Sequence, residues 1–473
     1  MSDAARVLIH IDEQRRDAAV LIALARLFEM SGCHVVLSTR RTTPLLVRKV
    51  FFDAVLLPFI APYFTAEEAV RFSARSKLYL LPTEGAIFGD WPLMIKFGGG
   101  TDPTQWARYI QATTRCFLWG PQSRRALQAT GRFREEQLVV VGAPRMDVHL
   151  ADPSAAERAL HDPRSIGAIT SLTLINSYHR LTAFEAVDQG RDGHGRTFAT
   201  TRNVEDWYWM ESAQVRIWLE LFDECRRRAE RLMVRAHPRE HLEAYRSLHQ
   251  RYAGTVRLDG QHVPFETWIE RLGVLIGFNS TAFFEAIAAA QPAISLAFLM
   301  GPRLPEHLDG FVGSHYSIID QLETPRSWDA LFEIVERIRH GRWDGYRDEA
   351  KALLHDVCGY PRSTAALAAI VRTVLKDVKG RDRRRGAATR FAEVLGTAKS
   401  RALEYSTFTI RRERTTSAWF PLRLRRLARQ LDPTIQRYLR AAAIFTGSPD
   451  TEERRSTEEG RQMGLEPRGA ATR

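Results

Sequence analysis

Short apolar runs alternate with longer stretches of helical periodicity through most of the chain. Arg6–Ile11, His34–Ser38, Ala54–Pro58, Lys77–Leu81, Cys116–Trp119 and Leu138–Val141 are each four to six residues of mainly apolar sequence. Runs this short and uninterrupted predict strands buried on both faces. Between the first two, an amphipathic pattern from Ala18 to Met30 predicts a helix. The alternation restarts further on, with strands expected at Leu172–Asn176, Leu232–Ala236, Thr255–Leu258, Val274–Gly277 and Ala293–Leu296. Helical patterns span about 207–231, 328–339 and 341–357. Two successive series of this kind predict an α/β protein with two Rossmann-like domains, each a parallel sheet covered by helices.

Punctuation along the chain sets the expected boundaries. Pro144 and Asp152-Pro153 mark the exit from a first domain over 1–150. A second domain follows over 151–378, with a polar, glycine-bearing loop at Gly190, Gly193 and Gly195. A basic, helical extension over 379–446 comes next. The final stretch, 447–473, has too few apolar residues to build a core and is expected to be disordered.

Charge changes the picture only at the C-terminus. The chain carries a formal net charge of +12, and residues 376–473 contain 23 basic and 12 acidic residues, a net +11. The body is therefore near neutral, which argues against a nucleic-acid-binding core. In the extension Phe420, Leu422, Leu424, Leu427 and Ile435 interleave with arginines, a pattern that suits an anionic membrane surface. A solvated basic helical pair packed on the body is the plainer reading. The N-terminus shows neither a secretory signal nor a membrane-length apolar run, and reads as cytoplasmic, with peripheral contact at the inner membrane face. Cys33, Cys116, Cys225 and Cys358 lie far apart without metal or redox spacing, and predict isolated buried thiols.

Candidate chemistry collects where predicted strands end, the place at which parallel sheets bind ligands. Arg235-Ala236-His237-Pro238 closes one strand, with a helix expected from about Glu240. Arginine and histidine there suit a pyrophosphate. Gly277-Phe278-Asn279-Ser280-Thr281 closes another, placing two hydroxyls at the entry to a helix, with Glu285 one turn further on and directed toward ribose hydroxyls. In the first domain Glu84-Gly85 follows a strand, offering a carboxylate base. Arg145 and Asp147 lie in Gly142-Ala143-Pro144-Arg145-Met146-Asp147, where cleft contact and simple fastening of the turn are equally open. Glu13, Arg16 and Asp17, after the first strand, are acceptor-side candidates. No Asp-x-Asp metal motif is evident, so no metal is expected.

Taken in order, Glu84-Gly85, the Gly-x-Pro-Arg-x-Asp of 142–147, Leu174-Ile175-Asn176, Arg235-x-His237-Pro238 and Asn279-Ser280-Thr281-x-x-x-Glu285 resemble the motif series of bacterial surface carbohydrate biosynthesis proteins. These include the GT-B sialyl-, polysialyl- and Kdo-transferases of capsule and lipopolysaccharide synthesis. The resemblance covers roughly residues 6–300. It implies a GT-B fold with two domains facing a cleft. The activity implied is an inverting, metal-independent glycosyl transfer from a nucleotide sugar, CMP-linked in one option, to a glycan or lipid-linked acceptor. Glu84 would be the base and His237 the phosphate-contacting residue. Arg235, Asn279, Ser280, Thr281, Glu285, Arg145 and Asn176 would hold the donor. Thr83 replaces the first of two acidic residues in the fuller motif. A CDP-glycerol or CDP-ribitol phosphotransferase, and a non-catalytic nucleotide-sugar- or membrane-binding GT-B protein, are the alternatives.

Overall fold

A computed structural model describes residues 4–151 (except 13, 41, 62, 83, 85, 87–89 and 101), 158–172, 175, 201–304 (except 239, 260–262 and 279), 318–379, 408–410 and 422–444. The two expected parallel sheets are present. The first contains β1 (Arg6–Ile11), β2 (His34–Thr39), β3 (Ala54–Leu57), β4 (Lys77–Leu80), β5 (Arg115–Leu118) and β6 (Leu138–Val140). The second contains β7 (Ile166–Ile169), β8 (Leu232–Arg235), β9 (Val256–Leu258), β10 (Val274–Gly277) and β11 (Ala293–Ser295). An antiparallel edge strand, β12 (Phe408–Ile410), pairs with β2. The chain is α/β, with two Rossmann-like, mainly parallel sheets.

Strand order places the ligand-binding edges. The parallel part of the first sheet runs β2-β1-β3-β4-β5-β6, so the direction of winding reverses between β1 and β3. The second runs β11-β10-β7-β8-β9 and reverses between β7 and β10. At each reversal the flanking helices leave on opposite faces and open a crevice at the carboxyl ends of the strands. The segments after β1 and β4 meet the first crevice. Those after β7, β8 and β10 meet the second.

One strand differs from expectation. The second sheet begins at Ile166–Ile169, and Leu172 lies beyond that strand. Gly167 and Ala168 dilute the apolar signal there. A Cβ on Gly167 would stand 2.3 Å from Leu272 and 2.9 Å from Trp268, so the helix side of this strand requires a missing side chain. The expected helix near Glu240 is also replaced. A 3-10 turn at Leu242–Tyr245 comes first, and the α-helix starts at Arg246.

The C-terminal third returns to the first domain. Leu367, Ile370, Val371, Val374 and Val378 on the helix Ala366–Lys379 enter the core built by β1 and the helix Gln14–Met30. Leu431, Ile435 and Tyr438 on the helix Leu422–Ile444 enter the same core. Each such side chain contributes about 1.5–3 kcal/mol on burial. Ile435 is wholly buried, so its apolar surface is committed to the protein. Phe420 lies outside the described residues. All four cysteines are buried free thiols. Among the described residues no helix is long and apolar enough to cross a membrane.

Candidate active site

The 142–147 segment joins the two domains through contacts on both sides. Gly142 has a φ of +91°, and a Cβ there would lie 2.4 Å from the Arg362 guanidinium. Ala143 N–H donates to the Cys358 carbonyl at 2.9 Å, tying the segment to the end of the helix Asp348–Cys358. Asp147, buried, accepts the N–H groups of Ala366 and Leu367 at 2.8 Å each, which secures the first turn of the returning helix. Burial pushes the Asp147 carboxyl up to about 7 against the pull of those N–H groups and of Arg362. Between these anchors Arg145 crosses to the second domain and pairs with Glu285 at 2.6 Å, both side chains being almost fully buried. The Arg145 guanidinium also lies 5.8 Å from the Trp119 ring. Arg145 Nε and Glu285 Oε2 remain buried without a hydrogen-bond partner.

On the first domain's rim the base candidate is held by charge. Arg16, in the first turn of the helix after β1, donates through Nε to Asp17 Oδ1 at 2.7 Å and through Nη2 to Oδ2 at 3.1 Å. Its Nη1 donates to Glu84 Oε1. Arg16 is 8% exposed, whereas Glu84 is 42% exposed and stands at the solvent edge of this group. Burial alone would lower the Arg16 pKa, but the carboxylates of Glu84 and Asp17 outweigh it and keep the guanidinium charged. Lys96, on the helix Asp90–Gly98, belongs to the same cluster. Burial lowers its pKa, Glu84 opposes that shift, and its ammonium lies 5.5 Å from the Phe59 ring. Sequence reading passed over Lys96 because it sits within an ordinary helical stretch. Behind the rim His10 is buried, its Nδ1 2.7 Å from Thr43 Oγ1 and its Nε2 2.7 Å from the Tyr63 hydroxyl.

On the second domain's rim the histidine turn is held by hydrogen bonds. Glu240, wholly buried, accepts from the N–H of His237 at 3.0 Å, the N–H of Leu172 at 3.0 Å and the Thr170 hydroxyl at 2.9 Å through Oε1. The Tyr245 hydroxyl donates to Oε2 at 2.5 Å. One carboxylate thereby ties the end of β7 to the end of β8. Burial raises the Glu240 pKa, and its four donors oppose that rise. The sequence signal for this role was the Glu three residues after His237, a spacing that lets a side chain fold back on the turn. Burial lowers the His237 pKa to about 4. Glu84 counters that shift, while Arg16 and Arg145 reinforce it. The imidazole is therefore neutral at pH 7 and lies within the field of three charged groups, Glu84 and Arg16 of the first domain and Arg145 of the joining segment.

Arg235 and the hydroxyl pair have different surroundings. Arg235 turns into the second domain, pairing with Asp259 at 3.1 Å and donating to the Val263 carbonyl at 2.7 Å. Its guanidinium lies 5.5 Å from the Phe265 ring and 5.2 Å from that of Trp268. Ser280 Oγ accepts the Ala282 N–H at 3.2 Å, beside the β7/β10 reversal, and Thr281 precedes the short helix Ala282–Ala288 that carries Glu285. Glu13, Asn176 and Asn279 lie outside the described residues, as do Thr83 and Gly85. The structure thus groups Glu84, Arg16, Asp17, Arg145 and His237, with Glu285 attached through Arg145. It directs Arg235 elsewhere. Among the described residues no group of three or more His, Cys, Asp or Glu side chains is arranged to hold a metal ion.

No family model matches this sequence, and no curated protein matches it. Solved structures of similar shape include the UDP-GlcNAc 2-epimerase of Methanocaldococcus jannaschii in complex with UDP-GlcNAc and UDP. It is 11% identical over 78% of this chain and 99% of that one, with a TM-score of 0.44. The wall teichoic acid polymerase TagF is 11% identical over 79% of this chain and 89% of its own, with a TM-score of 0.46. The UDP-GlcNAc 2-epimerase from Neisseria meningitidis, bound to UDP-GlcNAc, is 11% identical over 78% and 100%, with a TM-score of 0.43. These are distant likenesses of shape.

Proposed function

We propose that the chain is a GT-B glycosyltransferase that moves a sugar from a nucleotide-activated donor to a glycan or lipid-linked acceptor. The carrying observation is that Glu84 and Arg16 of one domain and Arg145 of the joining segment all bear on His237 of the other. The donor diphosphate, or the monophosphate of a CMP-linked sugar, lies against His237 and the Ser280-Thr281 hydroxyls. An anion beside a neutral, buried imidazole raises its pKa, so donor binding draws a proton onto His237. The protonated ring then stabilises charge developing on the leaving phosphate. Glu285 Oε2, buried without a partner, is an acceptor suited to a ribose hydroxyl, and Arg145 holds its other oxygen. Glu84, oriented by Arg16, takes the proton of the acceptor hydroxyl as it attacks the sugar carbon.

The test is thermal stabilisation by CMP, CDP, UDP and GDP, followed by turnover with the preferred donor class. One nucleotide stands out if the reading is right, and Glu84→Ala lowers turnover by about 10²–10⁴-fold without loss of nucleotide binding. Transfer of a polyol phosphate from a CDP-alcohol would redirect the reading to a phosphotransferase. Full turnover in Glu84→Ala would remove the base assignment.

A further inference from the structure

The helix Leu422–Ile444 brings a phenol to the place where the joining segment meets the second domain. Arg437 fixes its register. Nη2 of that residue donates to Glu270 Oε1 at 2.7 Å, and Nε donates to the Ala151 carbonyl at 3.1 Å. The next residue, Tyr438, is wholly buried. Its hydroxyl oxygen lies 2.9 Å from the Arg145 carbonyl and 2.7 Å from Glu266 Oε1. Glu266 stands on the short helix Phe265–Ile269 of the second domain and is itself buried.

Tyr438 by itself lacks the protons for both contacts. A phenol has one proton to donate, whereas a carbonyl and an ionised carboxylate only accept. With Glu266 ionised, one of the two short contacts would set oxygen lone pairs against each other. A proton on Glu266 completes the count: the acid donates to the phenolic oxygen and the phenol donates to the Arg145 carbonyl. The surrounding charges agree. Arg145 is paired with Glu285 at 2.6 Å and Arg235 with Asp259 at 3.1 Å, so each nearby guanidinium already has its carboxylate. Glu266 Oε2 is buried without a hydrogen-bond partner. That is a heavy cost for a charged oxygen and a lighter one for a neutral carboxyl. Burial raises the Glu266 pKa and Glu285 adds to the rise, against the pull of its own backbone N–H, Tyr438 and Arg145. Arg235, at the end of β8, also lies within its field.

We propose that Glu266 is kept as a neutral carboxylic acid and, through Tyr438, positions Arg145. The donor chain runs from the Glu266 O–H to the phenolic oxygen, and from the phenol to the Arg145 carbonyl. Glu266 and Tyr438 thereby act on the cleft through the Arg145–Glu285 pair. Ionisation of Glu266 removes the first link and sets a second carboxylate near Glu285. The hold of the C-terminal helix on the 142–147 segment therefore weakens as pH rises. The chain stands whether or not the protein transfers a sugar; only its bearing on donor binding rests on that reading.

Infrared difference spectroscopy of the full-length protein in D₂O at pH 7, wild type minus Glu266→Gln, tests the proton directly. The amide of Gln can donate where the acid did, so the fold is retained. The carbonyl stretch of a protonated carboxyl is expected in wild type and missing from the variant. In Tyr438→Phe the band should move to higher wavenumber, because the acid has lost its acceptor. Urea titrations of wild type and Glu266→Gln supply the pH profile. The unfolded carboxyl ionises near 4.5 and the folded one above that, so the stabilisation is full below 4.5 and lost as pH rises. Relative to the variant, the wild-type folding constant should fall about tenfold per pH unit between about pH 5 and 7. Neither measurement uses a nucleotide, so failure here is separate from failure of the transferase reading. No carboxyl band lost in Glu266→Gln, a band unmoved in Tyr438→Phe, or equal pH slopes for wild type and Glu266→Gln overturns the proposal.

Discussion

The two rims of the cleft present their chemistry by different physical means. His237 stands on a turn pinned from within by Glu240, a buried carboxylate with four hydrogen-bond donors. Glu84 stands at the solvent edge, paired with the largely buried Arg16, and 42% of its side chain is exposed. A hydrogen-bonded buried staple fixes backbone position at high cost to any change. A half-exposed ion pair fixes little and is readily exchanged for a substrate contact. The His237 rim is therefore pre-organised and the Glu84 rim adjustable, and under the proposed function these would be the donor and acceptor sides.

The sharpest way to break this contrast is Glu240→Ala. It strands the N–H groups of His237 and Leu172, and destabilisation on the order of 3 kcal/mol is expected, read as a lowered urea midpoint with weakened nucleotide binding. A loss under about 1 kcal/mol would show that the turn does not depend on its staple. The next effect is a pH dependence. His237 binds a proton near pH 6.5 when unfolded and only near about 4 when folded, so its contribution to stability is present above pH 6.5 and lost as pH falls. Relative to His237→Asn, wild type should lose about 1.4 kcal/mol per pH unit between about 6 and 4, measured by urea titrations across that range. Equal slopes for the two proteins would place the imidazole in water. The smallest effect belongs to the Glu84 rim. Glu84→Gln should change folding stability by less than about 1 kcal/mol, checked by the same titration. A larger loss would mean that the Arg16 pair is structural and that the two rims are alike.

How legible the protein was depends on the range of the forces involved. The strands β1 to β6 and β8 to β11 were readable because a parallel strand buried on both faces leaves a local apolar run. β7 was misread because close packing by Trp268 and Leu272 requires Gly167, which removes that run's signature. The turns bearing Glu84, His237 and Ser280-Thr281 were readable as strand ends. Lys96 was missed because nothing adjacent in sequence marks a lysine whose setting is created by residues from β1's following helix and β4's following loop. Arg235 was readable as a cation beside His237, but its direction was set by Asp259 and the Val263 carbonyl.

By itself the sequence determined the two alternating series, the places where strands end and the residue types that stand there, since these follow from local burial and periodicity. It also set the uneven charge of the C-terminus. Only the tertiary structure decided that Arg145 meets Glu285, that Asp147 secures the helix at 366, that Ile435 packs inward and that Arg437 meets Glu270. Each is a contact between segments far apart in the chain. Such partners are selected by shape and by the cost of leaving a buried charge or N–H unanswered, and neither leaves a pattern within any short stretch of residues.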